Sequence, residues 1–192
     1  MTEKTHESLR GRLDLPFSYL LDVDRVPDTG LDVTISADPQ ERQALADFNK
    51  IPAIGRLAAE FHVARRAGGR FNVSGEVHAR VSQICVVSLE TFESDVVETI
   101  DVDFAPPGEA ERARSAGLVD ASAAGPETEE PPDPIIGGKI DLGALAGEFL
   151  ALGLDPYPRK PGARFEQAGE TVAPRDARSP FEILKTIKGS SK

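Results

Sequence analysis

Apolar and polar residues alternate over long stretches in the first half of the chain. Leu31, Val33 and Ile35 alternate with Asp32, Thr34 and Ser36, the period-two pattern of a half-buried strand. Leu57, Ala59, Phe61 and Val63 alternate with Ala58, Glu60, His62 and Ala64. The run Phe71, Val73, Gly75, Val77, Ala79, Val81 alternates with Asn72, Ser74, Glu76, His78 and Arg80. Between these two runs lies Arg66-Ala67-Gly68-Gly69-Arg70, whose glycines permit a hairpin turn. A further turn around Ser88-Leu89-Glu90 precedes a strand with Val96, Ile100, Val102 and Phe104 on one face and Asp101 and Asp103 on the other. The pattern predicts an antiparallel meander with strong twist.

Helical spacing appears at three places. Asp38-Pro39-Gln40-Glu41 has a capping aspartate, proline at the first helical position and a glutamate that completes a capping box. Ala44, Leu45 and Phe48 form the expected inward stripe of that helix. Asp141 is placed to cap a helix over roughly 142–153, with Leu142, Leu145, Phe149 and Leu152 on one face. Ser179-Pro180-Phe181-Glu182 is a second capping box. It opens a short helix with Phe181, Leu184 and Ile187 inward and Lys185 and Lys188 near its end, where cations suit the helix dipole. The expected fold class is therefore α+β: an antiparallel sheet that could curl into a barrel-like form, with one early helix and two C-terminal helices.

Residues 107–134 interrupt this pattern. They are rich in Pro, Ala, Gly and Glu and almost free of large apolar residues, so burial cannot offset the entropy of ordering them. The expectation is a disordered acidic linker. It separates a β-rich part (1–106) from a helical and proline-rich part (135–192) of one domain.

Composition adds compartment and charge. The single cysteine among 192 residues excludes an internal disulfide framework and suits a reducing, cytoplasmic setting. The first fourteen residues lack an apolar core, so no secretory signal is expected there. No apolar run reaches the ~18 residues of a membrane helix, and no membrane partner is expected. The net charge is −10 and is unevenly placed. Residues 1–106 carry 11 basic and 18 acidic groups, 107–134 carry 2 and 7, and 135–192 carry 9 and 7. Such a chain is not expected to bind DNA through a general positive field, since phosphate affinity comes from Lys and Arg.

Catalytic chemistry finds little support. Cys85 is the obvious nucleophile, but it lies an odd number of residues from His78, and strand parity puts the two on opposite faces. A buried, inert cysteine is the expectation. One Cys and three scattered His do not supply a zinc ligand set, and no phosphate-loop, dinucleotide, metalloprotease or nucleophile-elbow motif occurs. The chain is therefore expected not to be an enzyme and to need no cofactor. Two features suggest binding instead. Tyr157, Arg159, Lys160 and Arg164 lie in a loop stiffened by Pro156, Pro158 and Pro161, and an aromatic beside cations is a means of holding unpaired bases. Lys185 and Lys188 belong to the locally basic C-terminal stretch. The plainer readings are a packed loop with solvated cations and a helix docked on its own domain.

The order of several short motifs carries a resemblance. Gln83-Ile84-Cys85-Val86-Val87-Ser88-Leu89-Glu90 is followed by Ile140-Asp141-Leu142-Gly143 and Glu148-Phe149-Leu150-Ala151-Leu152. Then come Asp155-Pro156-Tyr157-Pro158-Arg159-Lys160-Pro161-Gly162 and Ser179-Pro180-Phe181-Glu182-Ile183-Leu184. This series resembles the YceD family, large ribosomal RNA accumulation proteins of bacteria and chloroplasts. The resemblance implies a cytoplasmic, non-enzymatic role in accumulation or maturation of large-subunit (23S) ribosomal RNA, with a precursor of that subunit as partner. Contact could run through RNA or through a ribosomal protein. The alternative role is an acidic adaptor or chaperone for a basic ribosomal protein, using the sheet face and linker. Many relatives carry Cys-x-x-Cys where this chain has Cys85-Val86-Val87-Ser88, and a serine cannot replace a thiolate as a tight zinc ligand.

Overall fold

The computed structural model describes residues 16–119 and 131–164. Strand β1 (Leu20–Asp22) leads through one 3₁₀ turn to β2 (Leu31–Ser36), helix α1 (Pro39–Asn49), and the long strands β3 (Ala53–Arg65), β4 (Phe71–Ile84) and β5 (Thr91–Ala105). Helix α2 (Pro107–Val119), strands β6 (Asp133–Pro134) and β7 (Lys139–Asp141) and helix α3 (Leu142–Gly153) complete the described chain.

The main sheet has the order β2-β3-β4-β5-β6, antiparallel except for the short parallel pair β5–β6. It is an open sheet, with β2 and β6 at its edges, and not a closed barrel. The meander follows the alternation. Leu57, Ala59, Phe61 and Val63 of β3, Phe71, Val73, Val77, Ala79 and Val81 of β4, and Val96, Ile100 and Phe104 of β5 are all buried. One register shift between Ile54 and Arg56 lets both Ile54 and Leu57 face inward, although they differ by an odd number; an extra residue in one strand resets the parity.

Helices α1 and α3 cover this inner face. The α1 capping box forms as expected: Asp38 Oδ1 accepts from the N–H groups of Gln40 and Glu41, and Glu41 accepts from the Asp38 N–H. Leu45 and Ala46 face the core, whereas Phe48, expected inward, is 43% exposed at the last turn, because it stands about 200° round the helix from Ala46. In α3, Leu142, Leu145 and Leu150 are fully buried and Phe149 packs against the core, but Leu152, also expected inward, is exposed near the helix end. No described helix is long and apolar enough to cross a membrane.

Asp141 has more to do than cap a helix. It accepts from the Ala144 N–H (3.0 Å), the Tyr19 N–H (2.8 Å) and the Ser18 hydroxyl (2.7 Å), while the Leu142 N–H donates to the Tyr19 carbonyl. One carboxylate thus joins the start of the described chain to α3, beside the β1–β7 pair.

The stretch read as a disordered linker is in part a helix. Glu109, Ala110, Glu111, Arg112, Ala113 and Arg114 are good helix formers, and Pro107 suits a first turn. Ala110 is fully buried, Arg70 pairs with Glu109, and Arg114 donates to Asp133 at 3.0 Å. These tertiary anchors outweigh the low apolar content of the segment. Residues 120–130 and the expected helix over 179–188, with Lys185 and Lys188, lie outside the described residues.

No described helix covers the outer face of the sheet. Asp32, Glu60, Glu76, Glu93, Asp95, Asp101 and Asp103 point from it into solvent. Arg80 is held by Glu93 and Asp95, and these acids raise its already high pKa.

Candidate functional site

At the end of β4 the chain makes a tight turn through Cys85. The Cys85 N–H donates to the Glu90 carbonyl and the Leu89 N–H returns to the Cys85 carbonyl, both at 2.9 Å. The backbone N–H groups of Val87 and Ser88 each donate to Cys85 Sγ at 3.4 Å. Leu89 has positive φ (59°), the bend that brings the strand back as β5.

The proline-rich loop after α3 packs against this turn. The Val86 N–H donates to the Pro158 carbonyl at 2.9 Å, and Lys160 Nζ pairs with Glu90 at 2.9 Å. Gln83, the one buried polar side chain among the described residues, donates to the Asp155 carbonyl and accepts from Ser94. Asp155 accepts from the Tyr157 N–H. The Lys160-Pro161-Gly162-Ala163 turn closes with the Ala163 N–H on the Lys160 carbonyl. Gly162 sits at φ +80°, as the third residue of a proline-led turn requires.

The sequence-predicted contacts therefore have unequal roles. Tyr157 is 72% exposed, and Arg159 and Arg164 are exposed with no ion pair among the described residues. Lys160 is instead spent on Glu90. The pairing raises the pKa of Lys160 and lowers that of Glu90. It braces the loop more than it offers a free cation.

Cys85 and His78 do lie on opposite sides. Cys85 is fully buried, while His78 sits on the outer face beside Glu76 at 3.3 Å. The thiol is nonetheless not an ordinary buried hydrophobe. Hydrogen bonds from the Ser88 hydroxyl and N–H, and then from the backbone of Lys160 and Val87, lower its pKa from 9.0 to about 6 against the opposing effect of burial. Sequence reasoning missed this because N–H···S geometry depends on the turn, although Ser88 at the third position was its visible trace. We expect far-ultraviolet thiolate absorbance of the folded protein to titrate near pH 6, and Ser88→Ala to move the midpoint upward. A native midpoint near 9 would refute the assignment. A depressed thiol pKa stabilises the fold above the unfolded value, and this contribution is lost as pH falls through about 6.

The donor set does not fit a zinc ion. The second ligand position of a Cys-x-x-Cys turn holds Ser88, and no group of three or more His, Cys, Asp or Glu side chains among the described residues could hold a metal. These features define a two-layer α+β protein whose sheet hairpin and proline-rich loop are stapled into one rigid end. The family model described as large ribosomal RNA subunit accumulation protein YceD matches residues 73–188. The chain belongs to the YceD family. No curated protein and no solved structure matches it.

Proposed function

We propose that this protein is a non-enzymatic, cytoplasmic factor that supports accumulation of large-subunit (23S) ribosomal RNA, and that it meets its precursor particle through the braced 155–164 loop. The observation that carries this reading is the presentation of Tyr157, Arg159 and Arg164. An exposed aromatic stands with two guanidinium groups that have no ion pair among the described residues, on a loop fixed by Gln83, Val86 and Glu90. A fixed platform loses little entropy on binding, and stacking with arginine contacts suits unpaired bases. The acidic outer sheet face repels phosphate, so the loop is the favourable approach.

Sedimentation of tagged protein with large-subunit precursors tests this. Association should fall with salt, and the Arg159→Glu/Arg164→Glu protein should lose about tenfold or more in bound fraction at moderate salt. Unchanged association would sink the loop assignment. The acidic sheet face, which no described helix covers, favours a second reading, an adaptor for a basic ribosomal protein. In that case Asp101→Lys/Asp103→Lys, and not the arginine reversals, would release the particle. Crosslinking in cells would then recover protein without RNA.

A further inference from the structure

A cleft of about 490 Å³ opens between the end of α1, the end of β4 and the loop after α3. Ile51, Ile84, Val86, Leu154 and Pro158 line it, with Ile84 and Val86 about half exposed. Exposed apolar residues gathered in this way mark a surface that something covers.

We propose that the occupant is this chain's own segment 179–188, seated with Phe181, Leu184 and Ile187 in the cleft. The sequence of that segment opens with a capping box and places these three side chains on one helical face. Its length and polarity suit a short groove, in the helix-in-groove mode with anchors three residues apart. The route is short. The loop that lines the cleft at Pro158 runs to Arg164, where the described chain stops. Residues 165–178 then supply a tether that spans about 45 Å when extended at ~3.3 Å per residue. A tethered segment meets its groove at an effective concentration in the millimolar range, far above that of a free competitor. The family match also runs through both parts, from the β4 side of the cleft to residue 188. The proposal does not depend on what the arginine loop binds.

Methyl resonances of Ile51, Ile84 and Val86 in the full chain test it. Phe181→Ala/Leu184→Ala should shift all three. Glu182→Gln/Thr186→Ala, on the opposite helical face, should leave them in place. A synthetic peptide of residues 177–192 added to the first variant should restore the native positions. Methyl positions identical in the native and Phe181→Ala/Leu184→Ala proteins would overturn the assignment. Native shifts that depend on protein concentration would overturn it in favour of a second copy in the cleft.

Discussion

Gly75→Ala should prevent this protein from folding, or leave it at least about 4 kcal/mol less stable, in the range reserved for severe backbone conflict. Gly75 faces Phe61 across the β3–β4 ladder. A Cβ added there would stand 1.9 Å from the Glu60 carbonyl oxygen and 3.0 Å from Phe61 Cα. Both are main-chain atoms, so no side-chain rotation relieves the overlap. The strands would have to part in the middle of the β3–β4 hairpin, with loss of ladder hydrogen bonds on both sides. Soluble yield and denaturant unfolding measure this directly. Ser74→Ala, one residue away on the outer face, is the control and should change stability by less than about 0.5 kcal/mol. A Gly75→Ala protein with native stability would mean that the two strands do not approach as closely as described.

Phe104→Ala should cost roughly 3–5 kcal/mol, the usual loss for a large aromatic taken from a packed core. Phe104 is fully buried and stands opposite Phe71, itself buried, in the β4–β5 register. Arg65 lies over the Phe71 ring at 5.1 Å and donates to the Val26 carbonyl at 2.8 Å. The cavity would therefore loosen a contact that reaches from β5 back to the turn before β2. For a protein of this size the melting temperature should fall by about 10 °C or more. A loss below about 1 kcal/mol would show that this end of the sheet packs less tightly than the burial implies.

Much of the sheet was legible because the period-two pattern of β3, β4 and β5 is long and clean. Leu57 through Val63 and Phe71 through Val81 could take one orientation only without exposing the core. The α1 cap was equally plain, since Asp38, Pro39 and Glu41 act within one turn. Features that depend on distant partners were not legible. Nothing local shows that Phe48 and Leu152 sit to one side of the stripe their helices bury. Nothing in Pro107–Val119 shows that Arg70 and Asp133 will anchor it. At the candidate site the residue types were visible, but their division of labour was not. Lys160 looks like Arg159 in sequence, and only the position of Glu90 at the turn separates a brace from a cation with no ion pair among the described residues.

The carboxylate of Asp141 has a kinetic consequence. Its bond to Ser18 joins residues 123 positions apart, whereas the hairpins of β3, β4 and β5 close over a few residues. Loop-closure entropy must be met before a distant contact returns anything. The meander should therefore assemble first, and β1, β7 and the first turn of α3 should come together last. The same entropy grows only logarithmically, by about 0.6 kcal/mol for each doubling of a loop. Doubling the segment 120–130 would lengthen the closed loop by a small fraction. For the shorter loop between Arg114 and Asp133, 19 positions apart, the same doubling costs less than about 0.6 kcal/mol, so the fold can accept an insertion of that size there with little change in stability.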